Sequence, residues 1–168
     1  RTNFKYLMSV FKKSRIIICI FTLYFFALMS CKDFNSFENT TTFPQHDWPS
    51  AEKINARFTI ADTTAFYNIF VVVRHTGAFH FNNLWINLST KAPGDTLKSQ
   101  QLNLQLANNT QGWLGTYFDD IIEHRIQVNP FPVKLKAGEY VFTMQQIMRE
   151  DPLQEMMNAG KKKKKNIQ

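Results

Sequence analysis

Residues 66–75 read F-Y-N-I-F-V-V-V-R-H, a run of aromatic and β-branched side chains suited to a central strand. The flanking segments extend this reading with a period of two. Before the run, Ile54, Ala56, Phe58 and Ile60 alternate with polar neighbours, as in a half-buried strand, and Asp62-Thr63-Thr64 turns the chain. After it, Thr76-Gly77 opens a short connection. Residues 81–90 then place Leu84, Ile86 and Leu88 on one face and Asn83, Trp85 and Asn87 on the other. Lys91-Ala92-Pro93-Gly94-Asp95 is a turn cluster, and 97–107 alternates again with Leu102, Leu104 and Leu106 facing in.

Residues 108–117 (N-N-T-Q-G-W-L-G-T-Y) predict a Gly-bearing loop around an aromatic anchor. A short helical turn is expected over 118–124, because Asp119 and Asp120 suit a helix N-terminus. Ile126 and Val128 resume an extended pattern, which Pro130 and Pro132 assign to an edge. Residues 138–149 carry the longest strand signal, with Tyr140, Phe142 and Met144 on one face. Short strands, turn clusters and no long amphipathic helix predict an all-β fold, an antiparallel β-sandwich of Greek-key or jelly-roll-like type over 53–155.

The chain ahead of this domain decides its address. Residues 16–31 (I-I-I-C-I-F-T-L-Y-F-F-A-L-M-S-C) follow Lys12, Lys13 and Arg15, and the first thirty positions hold no acidic residue. That is the plan of a secretory signal peptide, 1–30. The run is shorter than the ~20 apolar residues of a membrane span. An ordinary secretory signal is the other alternative, but it has no need of cysteine after its small residue. Leu28-Met29-Ser30-Cys31 resembles the bacterial lipobox, which implies cleavage before Cys31 and lipidation of its thiol. One acyl chain binds a membrane only marginally, so a multiply acylated Cys31 is what gives stable anchoring. Met8 is the expected start, with 1–7 upstream of it. Residues 32–52, polar and Pro-punctuated, are expected to act as a tether, with Trp48 packing on the domain where the tether ends.

Charge and cysteine narrow the function. From Cys31 onward 15 basic residues face 13 acidic ones, and five of the 15 are the lysines of 161–165. The folded part is therefore mildly acidic and lacks the basic footprint of a nucleic-acid binder. With Cys19 in the signal peptide and Cys31 lipidated, no thiol remains for a disulfide or a nucleophile.

Several short segments recur together with characteristic order and spacing. They are Tyr67-Asn68 ahead of V-V-V-R, Asn83-Leu84-Trp85, Asp95-Thr96-Leu97, Leu106-Ala107, Gly112-Trp113-Leu114-Gly115, Gly138-Glu139-Tyr140 and Gln145-Gln146-Ile147-Met148-Arg149. Behind a lipobox, these resemble the gliding-motility lipoprotein GldH family of the Bacteroidetes. The resemblance implies a non-enzymatic, lipid-anchored protein of the outer membrane, on its periplasmic face or exposed at the surface. It also implies a need for this protein in gliding, a link to type IX secretion, and partners among other envelope motility proteins. No cofactor and no catalytic residue follow from it. The 156–168 end departs from the family's alternating terminal strand. Five consecutive lysines are not expected to form an apolar-in, polar-out strand, which suggests a frameshift at an adenine-rich run or a lost strand that leaves a neighbour's edge unpaired.

Among residues able to carry chemistry, His46, His75, His80 and His124 show no metal-ligand spacing. Asp119, Asp120 and Glu123 offer a carboxylate set for hydrolysis only if a cleft raises one of their pKa values. Ser89 and Ser99 lack a nucleophile-elbow context. Better candidates are the partner-binding residues Trp85, Trp113, Tyr117 and Arg149. Trp85 is either an outer-face platform or is covered by the 112–115 loop, and Trp113 is expected to fill the sandwich end. Thr63 and Thr96 resemble O-glycosylation acceptors. A protein-docking component is the leading reading, and an envelope carbohydrate-binding module is the alternative.

Overall fold

The computed structural model describes residues 36–166. The signal peptide, Cys31 and the 31–35 part of the tether lie outside that range. The strands are β1 (Ser36–Thr42), β2 (Ile54–Ile60), β3 (Phe66–Thr76), β4 (Asn83–Lys91), β5 (Lys98–Gln105), β6 (Ala107–Asn108), β7 (Gly112–Trp113), β8 (Thr116–Phe118), β9 (Ile121–Gln127), β10 (Val133–Lys134), β11 (Gly138–Gln146) and β12 (Met156–Asn166).

Two antiparallel sheets face each other. One runs β1-β12-β3-β9-β8, with β10 also on β3, and the other runs β2-β11-β4-β5; β6 and β7 form a small separate pair. The period-two pattern sets which side chains lie between the sheets. Tyr67, Ile69, Val71 and Val73 enter from β3, and Ile54, Ala56, Phe58 and Ile60 from β2. Tyr140, Phe142 and Met144 come from β11, and Leu84, Ile86 and Leu88 from β4. Each large apolar side chain so buried contributes about 1.5–3 kcal/mol. Phe58 stacks on Phe142 with ring centroids 5.2 Å apart and on Tyr140 at 5.8 Å, which joins β2 to β11 within the core.

One side chain repairs a gap in the first sheet. Between the end of β9 and the start of β10, Asn129 accepts a hydrogen bond from the Ile69 N–H at 2.7 Å. Its amide donates to the Tyr67 carbonyl at 3.1 Å. The side-chain amide thus replaces a missing peptide unit alongside β3.

Three sequence expectations need correction. Residues 118–124 are not helical. Asp119-Asp120 is the two-residue loop of the β8–β9 hairpin, with Phe118 opposite Ile121. Asp119 supplies the φ of 59° that such a loop needs, a conformation its short polar side chain tolerates. The tether is shorter than 32–52, since β1 pairs with β12 over seven positions from Ser36↔Lys164 to Thr42↔Asn158. Phe43 and Trp48 are buried beyond it and stack at 5.4 Å, and Trp48 donates from Nε1 to the Glu52 carbonyl.

The third correction concerns the lysine run, which lies in β12 between β1 and β3. Strand geometry sends successive lysines to opposite faces, so neighbouring ammonium groups diverge. Long methylene stems let the inward set fill apolar space, and the amines of Lys163 and Lys165 reach on to polar partners while that of Lys161 stays inside. Lys161 lies over the Phe142 ring at 4.2 Å, and Lys163 lies over Phe58 and donates to the Thr59 carbonyl. Lys165 pairs with Asp62 at 2.9 Å. Lys162, on the other face, pairs with Glu38 at 3.3 Å. Gly160 is required by close approach, because a Cβ there would overlap the Asn39 carbonyl on β1.

Candidate functional site

Outward positions on β4 and β5 build the most distinctive surface. Trp85 follows Leu84 on β4, so when Leu84 enters the core the indole faces out, 40% exposed. It is therefore not enclosed by neighbouring chain. The register sets Asn83 opposite Gln105, Trp85 opposite Asn103 and Asn87 opposite Gln101. Asn83 donates to Asn103 at 2.8 Å. Ile147, also exposed, donates its N–H to the Trp85 carbonyl, and the Trp85 N–H meets the Met148 sulfur at 3.2 Å.

Trp113 belongs elsewhere, at one end of the sandwich. It packs on His75 with centroids 4.4 Å apart, and Phe79 closes on the same ring at 4.9 Å. Beneath them His75 and His124 bring their Nε2 atoms to 2.9 Å. His75 Nδ1 donates to the Thr76 carbonyl, which leaves its Nε2 as acceptor for the His124 Nε2–H. Burial holds the His124 pKa down to about 4, with the His75 charge adding to the effect, and burial lowers His75 as well. The pair is neutral at physiological pH. Among the described residues, no group of three or more His, Cys, Asp or Glu side chains is placed to hold a metal ion. The sequence spacing of 49 residues between these histidines gave no sign of the pair; strand register creates it.

Glu123 lies on the opposite face of β9 from His124. It pairs with Arg74 at 2.6 Å and Arg125 at 2.5 Å, and Arg74 reaches on to Glu38 at 2.8 Å. Burial works against the ionised carboxylate, but the bonds from Arg125 and Arg74 outweigh it and lower the pKa. That is the opposite of the raised value a general acid needs. Asp119 and Asp120 are exposed at the hairpin tip, so the three acids do not converge.

Tyr117 is 58% exposed on β8, beside exposed Phe118. Arg149 is exposed after β11, and Thr63 and Thr96 are exposed in loops. Tyr117 lies on β8, in the other sheet from Trp85, whereas Arg149 follows Ile147 and Met148, which both meet the Trp85 backbone. A cavity of about 340 Å³ has Phe43, Pro44, Pro49 and Pro152 in its walls together with Asp47 and Glu52. It forms where the β1–β2 connection meets the segment before β12, a long-range meeting with no local sequence signal.

The family profile described as GldH lipoprotein matches residues 35–162. The chain is 25% identical over 136 residues to the gliding motility lipoprotein GldH homolog of Christiangramia forsetii, covering 81% of this chain and 82% of that protein. It is 30% identical over 103 residues to the gliding motility lipoprotein GldH of Flavobacterium johnsoniae, covering 61% of this chain and 64% of that one.

Proposed function

The chain belongs to the GldH lipoprotein family, and on that premise we propose that it is a lipid-anchored component of the cell envelope that serves gliding motility by docking. Its anchor is Cys31, its site the outer membrane with the β-sandwich on the periplasmic face, and its partners are other envelope proteins of the motility and type IX secretion machinery. It acts without turnover. One observation carries the reading: a family match spanning the strands from β1 into β12 stands directly behind an apolar run that ends in Leu-Met-Ser-Cys. Exposed Tyr117, Phe118 and Leu114 near the β8 hairpin, together with Arg149, supply aromatic and cationic side chains of the kind that anchor protein interfaces. Thr63 and Thr96 are accessible as O-glycosylation acceptors.

Gene deletion followed by complementation tests this reading. Deletion is expected to stop surface movement, the native gene to restore it, and Cys31→Ala to leave the protein unacylated and the cells non-motile. Full motility of the deletion strain, or full rescue by an unacylated Cys31→Ala protein, overturns it.

A further inference from the structure

We propose that the outward face of β4 and β5 around Trp85 is a binding site for a neutral glycan. Six side chains form a grid two strands wide and three positions long: Asn83 with Gln105, Trp85 with Asn103, and Asn87 with Gln101. Adjacent strands are about 4.8 Å apart and same-face neighbours along a strand about 6.8 Å, so the grid is an extended, nearly flat strip. Five of the six are carboxamides, the sixth is an indole, and none is charged.

That composition selects the ligand. A carboxamide both donates and accepts, as a sugar hydroxyl does, whereas a carboxylate or ammonium does only one. The indole offers a flat apolar surface for the C–H face of a pyranose ring. Capacity for new bonds is present. Asn87 and Gln101 make no side-chain hydrogen bond among the described residues, and the Asn83–Asn103 bond engages one atom of each amide. The Gln105 amide has only a long 3.4 Å contact to the Ala107 carbonyl.

Charged side chains border the grid without entering it, and Arg149 is exposed two residues after Ile147. Arg57 and Lys91 lie opposite Val141, and Glu139 lies opposite Thr59, toward the other end of β11 from the Trp85 neighbour Ile147. An acidic or basic partner would find no complementary group among the grid's six side chains. Trp48 is fully buried in the same molecule, so an indole left 40% exposed on a polar strip marks a position kept for contact.

The test uses full-length protein in detergent, titrated calorimetrically with soluble polysaccharides of glucose, mannose, galactose or N-acetylglucosamine units, and with a polyuronate as charged control. At least one neutral polymer is expected to bind, with affinity unchanged by salt because no ion pair forms. Trp85→Ala is expected to weaken it about threefold to tenfold, the scale of one lost aromatic contact. Gln101→Ala is expected to weaken it less, and both variants to keep the native circular dichroism spectrum, since both side chains are exposed. Binding of no neutral polymer, binding indifferent to Trp85→Ala, salt-sensitive preference for the polyuronate, or capture of a protein through Trp85 without glycan affinity would each overturn the proposal.

Discussion

Lys161 carries its amine inside the sandwich over the face of Phe142, with no hydrogen-bond partner among the described residues. Burial brings its pKa down to about 7 from 10.5. Between those values the folded amine is neutral while the unfolded one still binds a proton, so stability rises with pH across that window, by roughly 1.4 kcal/mol per unit. Lys161→Met keeps the stem and removes the amine, and is expected to stabilise at pH 7 by about 1–3 kcal/mol. Urea melts at pH 7 and pH 9 check both statements: the native protein gains stability between them and the variant does not. His124 behaves likewise at lower pH. Its folded pKa of about 4 lies below the ordinary 6.5, so the stability it contributes is complete above 6.5 and lost as pH falls toward 4. His124→Gln should flatten that acid limb in the same melts. Asn129→Ala leaves the Ile69 N–H and the Tyr67 carbonyl without their partner, at a cost of about 1–3 kcal/mol.

At the scale of elements, β12 decides whether the first sheet is whole. It separates β1 from β3 and contributes Met156 and Ala159 to the core. Truncation after Glu155 removes the partner of both neighbours. The expected product lacks cooperative thermal unfolding and exposes apolar surface, measured by dye binding and calorimetry. Gly160→Val, which collides with the Asn39 backbone, is expected to give a milder form of the same defect. β2, β4 and β11 were legible in the sequence because each alternates apolar and polar residues against a buried face, and β3 because its aromatic and β-branched run suits a central strand; Leu84, Phe142 and Met144 lie where period two puts them. β12 was not legible. Its inward positions 161, 163 and 165 are lysines, and a polarity pattern registers the charged tip of such a side chain but not its apolar stem. The β8–β9 hairpin was misread because acidic residues suit a helix start and a tight turn equally. Trp85 was placeable from its neighbours alone, whereas the His75–His124 pair depends on which strands lie side by side.

For the molecule as a whole, the strand nearest the proposed anchor, β1, closes against the strand farthest from it in sequence. Ser36 lies opposite Lys164. The contacts that complete the first sheet therefore span nearly the full described chain, and such non-local pairing is slow to form and exposed while incomplete. Synthesis and export deliver the chain from its amino end. β3 emerges with its apolar Val71–Val73 run long before residues 156–166 can cover its flank. Under the proposed anchoring at Cys31, acylation of the emerging chain would precede the native state: the polypeptide would be moored first and mature afterwards, one end fixed to the bilayer while the other is still arriving. On that proposal its vulnerable interval would be spent at the membrane surface, where a chaperone holding the bare flank of β3 would stand in for the strand not yet delivered.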